Sequence, residues 1–346
     1  MRYAADELRT LAHALLTEAG IEADKARTTA RYLVAADMMG HSTHGLALLP
    51  WYLEHIRAGI VAREGGVEVV RDKGAAIAWN GRRLPGAWLT AEAVRAAVAR
   101  AETTGTATVS VANSHHNGAL ATYLHLATDR GFLVSIASSS PSGQQVAPFG
   151  GLRGVFTPDP VAWGIPTPGE PILIDISASI TTANMSARLV REGRNFERDW
   201  LMNADGTLTN DPRVIGNGGS LLPTGGLDHG QKGYGMALSV EALTQGLAGY
   251  GRADAPKGTN CAITVSVYDP EAFGGMAAFT RQTGWLREAC LASPPRDPAA
   301  PVRLPGQAAL ARMRAAETEG VTLYDGIFEA LRTEALPRAI ALPTPV

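Results

Sequence analysis

Long hydrophobic runs are missing from this sequence. No stretch of the 346 residues reaches the roughly 18–20 apolar residues that a bilayer-spanning helix requires, so no membrane role is expected. The opening "MRYAADELRTLAHALLTEAG" is amphipathic, without the continuous apolar core of a secretory signal. Cysteine is nearly absent too. Cys261 and Cys290 stand alone with no metal-ligand spacing around them, which argues against a disulfide framework or a zinc site and suggests reduced thiols in the cytoplasm. Neither sign of charge dominates: 31 Lys and Arg face 33 Asp and Glu, for a net charge of −2, which offers no electrostatic footprint for nucleic acid. The chain also lacks G-x-G-x-x-G, the P-loop spacing, a G-x-S-x-G elbow and an H-E-x-x-H helix. A standard Rossmann site and the common hydrolase sites are therefore disfavoured.

What remains is a chain with 45% hydrophobic residues, ample for a core and long for one compact domain. Leu8, Leu11, Ala12, Leu15 and Leu16 repeat at helical spacing, and Gly20 ends that helix. A second helix is expected over 22–39, stopped by Gly40. A third, "GLALLPWYLEHIRAG", is read with Ser42 or Thr43 as its cap and Pro50 in its first turns. "GVEVVRDKGAAIAWNG" reads as a hairpin turning at Asp72-Lys73-Gly74. From residue 86 helix and strand alternate: helix to Gly105, strand "TATVSVAN", helix "ALATYLHLATDRG", strand "FLVSIASSS". The Pro/Gly-rich passage 141–171 precedes a short strand "PILIDIS". After a polar, irregular region (193–231) come the helix "YGMALSVEALTQGLAG", the strand "CAITVSVY", the linker "SPPRDPAAPVRLPG" and helices over 306–319 and 323–335. The expected architecture is α/β: a central lobe, 81–274, beside a helical lobe made of 1–80 and 275–346.

Four passages concentrate Gly with His, Asp, Lys or Ser at element ends, where loops present functional groups. In "DMMGHSTHGLALLP", a Thr43 cap would set His44 at the first helical position, where the helix dipole lowers an imidazole's pKa. The bland alternative is a surface turn with incidental histidines. In "VSVANSHHNGALATYL", a strand ends in His115-His116-Asn117-Gly118 before a helix, a turn suited to an anion or a cofactor phosphate. In "ILIDISASI", Asp175 ends a strand, either to orient a histidine or to cap the helix starting near 181. In "PTGGLDHGQKGYGMALSVEAL", Lys232 stands at a helix start, against the dipole, as if facing an anion.

Together and in this order, the passages resemble the malate/L-lactate dehydrogenase family of the sulfolactate dehydrogenase type. The family's D-x-R-G-x-x-S-H-G and L-P-x-Y are similar to "DMMGHSTHGLALLPWY", its N-S-x-H-[FY]-G to "NSHHNG", and its L-D-[MI]-[AS]-x-S to "LIDISAS". "TPDPVAWGIP", "QKGYGMAL", "DPEAF" and "LPGQ" match further motifs, so the resemblance spans about 5–335. It implies a non-Rossmann NAD(P)-binding fold, a homodimer, a small-molecule substrate and no metal. It further implies hydride transfer at C2 of a 2-oxo or 2-hydroxy acid, with NADP or NAD as cofactor and NADPH slightly favoured. By position, His44 matches the proton-donating histidine, Thr43 its serine, Asp175 the aspartate of the relay and His116 the second site histidine; His41 is read as a mere neighbour. Asn117, Gly118, Ser138 to Ser140, Lys232 and Gly233 match cofactor-binding positions, and Pro305-Gly306 the adenosine end. Met39 stands where the family has Arg, at a substrate position. Because a guanidinium suits a carboxylate, this exchange shifts modest weight to the alternative of a specialised substrate such as a cyclic imine carboxylate, with the 2-oxo acid still the leading expectation. It is also the sole support for a non-catalytic, cofactor-binding relative. Asn117 replaces an aromatic residue and Gln307 a Glu.

Overall fold

The computed structural model describes residues 1–346. In chain order the elements are β1 (Arg2–Tyr3), α1 (Ala5–Glu18), α2 (Ala23–Met39), a 3-10 turn at Leu46–Leu48, α3 (Leu49–Arg57), β2 (Glu68–Lys73), β3 (Ala76–Asn80), α4 (Gly86–Thr104) and β4 (Thr106–Ser114). There follow a 3-10 turn at Leu120–Tyr123, α5 (His125–Thr128), β5 (Leu133–Ser139), β6 (Val161–Ile165), β7 (Ile172–Ile176) and α6 (Ala183–Glu192). Next come β8 (Leu201–Met202), β9 (Leu208–Thr209), β10 (Ser220–Leu221), α7 (Gly226–His229) and α8 (Gln231–Glu241), which runs on into a π-helical turn at Ala242–Gly246. The chain closes with β11 (Cys261–Tyr268), α9 (Met276–Ala292), α10 (Gln307–Glu319), β12 (Val321–Thr322) and α11 (Ile327–Ala335).

The architecture is α/β, as expected, around a seven-stranded sheet of order β2-β3-β4-β11-β5-β6-β7. β11 lies between β4 and β5 and runs antiparallel to both, with Val265 opposite Val109 on one side and Ile136 on the other. A strand covered on both faces reads as a continuous apolar run, and "CAITVSVY" does. Only β3 and β4 pair in parallel, joined through α4. Alanines 91, 93, 97 and 101 let α4 pack closely on the sheet beneath Val94 and Val98.

A second core lies under the helical lobe, where Leu8, Leu15, Leu33, Leu49, Leu53 and Ile56 meet Ile327 and Leu331 of α11. The boundary expected at 80/81 does not follow these cores, because β2 and β3 are hydrogen-bonded into the central sheet. α9 likewise departs from the helical lobe: Gly284 packs against Pro168 and Gly169 approaches Arg287, both at the β6–β7 turn. A small third core around Phe156, Phe196, Leu201 and Leu221 supports the β8–β10 sheet, within the region read as irregular.

The third helix also begins later than expected. Neither Ser42 nor Thr43 caps it. The Leu46 N–H that opens the 3-10 turn donates instead to Asp37 Oδ2 at 2.7 Å, so α2 supplies the anchor. His44 therefore sits in a bent loop before the helix, and no helix N1 position acts on it.

Candidate active site

Antiparallel insertion of β11 brings distant segments to one edge of the sheet. Ser114 at the end of β4 pairs with Cys261 at the start of β11, Ala262 pairs with Ser139 at the end of β5, and Ile176 at the end of β7 pairs with Val161. Along this edge runs a cavity of about 800 Å³, closed on one side by the 41–60 segment and on another by the first turn of α6. His44, Thr43, His116, Asn117, Gly118, Ser138, Ser140 and Asp175 all line it. Positions separated by more than a hundred residues thus line one cavity.

His44 and His116 face each other with ring centroids 6.0 Å apart and planes tilted by 22°. Thr43 Oγ1 lies 2.9 Å from His44 Nδ1, and the Asn184 amide reaches His44 Nε2 at 3.5 Å and the Thr43 carbonyl at 3.4 Å. With Asn184 donating, Nε2 is the acceptor and Nδ1–H donates to the threonine hydroxyl. The pKa of His44 falls to about 3, chiefly because burial disfavours the cation and then because His116 and His41 are near. The lowering foreseen from a helix dipole is thus present for a different reason.

His116 is held by its other nitrogen. Gly118 N–H donates to Nδ1 at 3.2 Å, and the Tyr52 hydroxyl lies 2.8 Å from Nδ1 and 3.1 Å from the His116 carbonyl. The neutral ring therefore carries its proton on Nε2. Burial, followed by the neighbouring His115, also brings this imidazole to about 3. Gly118 has φ +70°, and a Cβ there would stand 3.2 Å from the His44 carbonyl, so glycine lets the two histidine loops close on each other.

Other placements depart from expectation. Asp175 makes no hydrogen bond to His44 or Thr43; its Oδ2 accepts from Ala121 N–H at 2.8 Å. Burial raises its pKa, and the charge that most opposes this is that of His41, the histidine read as incidental, which lines the same cavity. Nor is Asp175 the cap of α6, because Thr182 Oγ1 accepts from Met185 N–H at 3.2 Å. Met39 is packed in the central core and is absent from the cavity wall. Lys232 is exposed at the start of α8, off the cavity. Gly233 and Gly306 are close-packing residues: a Cβ would collide with Thr224 and Ala178 backbone at the first and with Leu173 at the second.

A wall of hydroxyls faces the imidazoles. Asn117 donates to Ser138 Oγ at 3.3 Å, Ser140 donates to the Asn260 carbonyl at 2.8 Å, and Thr157 donates to Asp159 at 2.6 Å. Gln145, also on this wall, keeps Oε1 buried without a partner. No Lys or Arg lines the cavity. Asn184, Tyr52, Trp51 and His55 escaped the sequence reading as site residues, and His115 was read only as part of the candidate turn. Tyr52 alone had a signal, the tyrosine of the L-P-x-Y motif.

With this geometry in view, similarity to known proteins becomes specific. A family model described as malate/L-lactate dehydrogenase matches residues 3–332. A malate dehydrogenase of Pyrococcus abyssi is 31% identical over 253 residues, covering 72% of this chain and 69% of that protein. A (2R)-3-sulfolactate dehydrogenase (NADP(+)) of Chromohalobacter salexigens is 32% identical over 246 residues, covering 70% and 71%. The solved malate dehydrogenase of Pyrococcus horikoshii superposes with a TM-score of 0.89 at 26% identity, over 99% of this chain and 96% of that one. The chain belongs to the malate/L-lactate dehydrogenase family and is a dehydrogenase.

Proposed function

We propose that the protein transfers hydride between a nicotinamide cofactor and C2 of a 2-oxo or 2-hydroxy acid, with His44 as the acid and base. The observation that carries this reading is the His44–His116 pair, half-buried, oriented and open to one cavity. In the oxidative direction His44 Nε2, the acceptor nitrogen, takes the proton of the C2 hydroxyl. The Nδ1–H bond to Thr43 keeps the ring in that tautomer. His116 Nε2–H, which has no partner in the chain, donates to the substrate oxygen or carboxylate. In reduction His44 returns its proton to the oxygen developing at C2. A carboxylate entering the cavity favours the imidazolium that this step requires, by attraction between opposite charges.

The opposite wall suits a dinucleotide. Hydroxyls and backbone groups of 138–142, Thr157 and 258–259, the unpartnered Gln145 Oε1, and the first turn of α6 offer donors and acceptors without a fixed charge. Bound there, the nicotinamide supplies or accepts the hydride. Asp175, which lines the same cavity, helps position it. Lys232 and Gly306 lie off this wall. NADPH is the favoured form, in keeping with the NADP(+)-dependent sulfolactate relative. A homodimer belongs to the same reading: α9 spans Met276–Ala292 yet buries only Gly284, with Trp285 67% exposed, and so small a buried face does little to stabilise a helix.

The test is oxidation of NADPH and NADH by the purified protein against pyruvate, oxaloacetate, sulfopyruvate and Δ1-piperideine-2-carboxylate. Turnover of at least one 2-oxo acid is expected. Turnover of the imine alone, or of none, overturns the proposal.

A further inference from the structure

The two motif positions at which the family resemblance leaves the residue open, the x of L-P-x-Y and the x of N-S-x-H, hold Trp51 and His115 here. Far apart in the chain, they touch in the fold. The Trp51 ring lies 5.4 Å from His115, 4.6 Å from His55 and 5.7 Å, edge-on, from the site histidine His116. His55 Nδ1 and His115 Nε2 are hydrogen-bonded at 3.0 Å, which locks the two imidazoles together. Trp51, His55 and Ile60 line the cavity, and His115 is buried behind them. His55 Nε2 has no partner in the chain. These residues form a ring-walled recess beside His116, in the same cavity as His44.

No fixed cation of this chain serves the recess, since neither Lys nor Arg lines the cavity. Burial lowers the pKa of both His55 and His115, so both are neutral near pH 7. A second carboxylate or a sulfonate at C3 would lose its water there against an indole and two uncharged imidazoles, an unfavourable exchange. A flat uncharged ring exchanges water for edge and face contacts with aromatic partners, which is favourable.

We propose that this enzyme prefers 2-oxo and 2-hydroxy acids whose C3 carries an uncharged planar ring, held by Trp51, His55 and Ile60. The inference rests on the hydride-transfer reading above and narrows its substrate. It separates this chain from the relatives named for malate and sulfolactate, whose substrates bear an anionic group at C3.

The test compares kcat/KM for phenylpyruvate, pyruvate, oxaloacetate and sulfopyruvate in the holoenzyme. Phenylpyruvate is expected to exceed oxaloacetate and sulfopyruvate by about tenfold or more. Trp51→Ala should lower the phenylpyruvate-to-pyruvate ratio by about tenfold, and Trp51→Phe, which keeps a ring, by less. Calorimetric titration of the protein with phenyl-lactate and with malate provides a readout apart from turnover, and phenyl-lactate should bind more tightly. Preference for oxaloacetate or sulfopyruvate, or an unchanged ratio in a folded Trp51→Ala protein, overturns the ring preference and leaves the dehydrogenase reading intact. No turnover of any of the four acids overturns both.

Discussion

The two walls of the cavity are built from different materials. One is made of rings: Trp51 and Tyr52 meet His116 edge to face, His44 stacks against it, and the Tyr52 hydroxyl lies 2.8 Å from His116 Nδ1. The other is made of hydroxyls and backbone at the ends of β5 and β7, with Ser138, Ser140 and Thr157 at its centre. Rings held from behind keep their geometry when water leaves, as a proton transfer needs. Small hydroxyls leave room and adapt, as a long polar cofactor needs. The division makes the walls separable by mutation: damage to the rings should fall on kcat, and damage to the hydroxyls on cofactor affinity.

Thr43→Val strikes the ring wall hardest after His44 itself. It keeps the side chain's shape and removes the only acceptor for His44 Nδ1–H. We expect kcat to fall about tenfold to a hundredfold with cofactor binding little changed, by steady-state and binding measurements on one preparation. Equal losses in both would break the proposed division.

The same burial shapes stability. His44, His115 and His116 have folded pKa values near 3, below their unfolded value, so the unfolded chain binds more protons between about pH 3 and 6.5. Their contribution is complete above pH 6.5 and is lost as pH falls. Asp37 works the other way: burial raises it to about 7, partly offset by its bond to Leu46 N–H, so its contribution declines as pH rises from about 4 to 7. Asp159 and Asp175, also raised by burial, act in the same direction as Asp37. Asp37→Asn, which keeps the acceptor and removes one opposing ionisation, should therefore make Tm rise more with pH between 4 and 6.5 than in the parent protein, and identical pH profiles in thermal melts would contradict the raised Asp37.

Ser140→Ala probes the hydroxyl wall with the smallest effect. The loss of its bond to the Asn260 carbonyl should raise the cofactor KM about threefold to tenfold and move kcat by less than about twofold.

Much of the fold was legible because helix and strand periodicities were strong: α1, α2, α4, β4, β5 and β11 fall where the patterns put them. α9 went unread because its apolar residues face outward and give no buried stripe. β6 was hidden in a Pro/Gly-rich passage. In the site, motif order brought His44, Thr43, His116 and Asp175 to one cavity, yet it could not say which of them bond. That depends on where β11 inserts, which joins β4 to β5 from a hundred residues away and carries no local signal. For the same reason His41 read as idle and Met39 as a substrate contact. The ring recess, assembled from 51–60 and 115, left no contiguous trace at all.

The most direct test of the proton role of His44 is His44→Ala, with cofactor binding followed by nicotinamide fluorescence and turnover followed separately. Retained cofactor affinity with kcat reduced by about 10²–10⁴-fold is predicted. Near-normal turnover in that variant would contradict it.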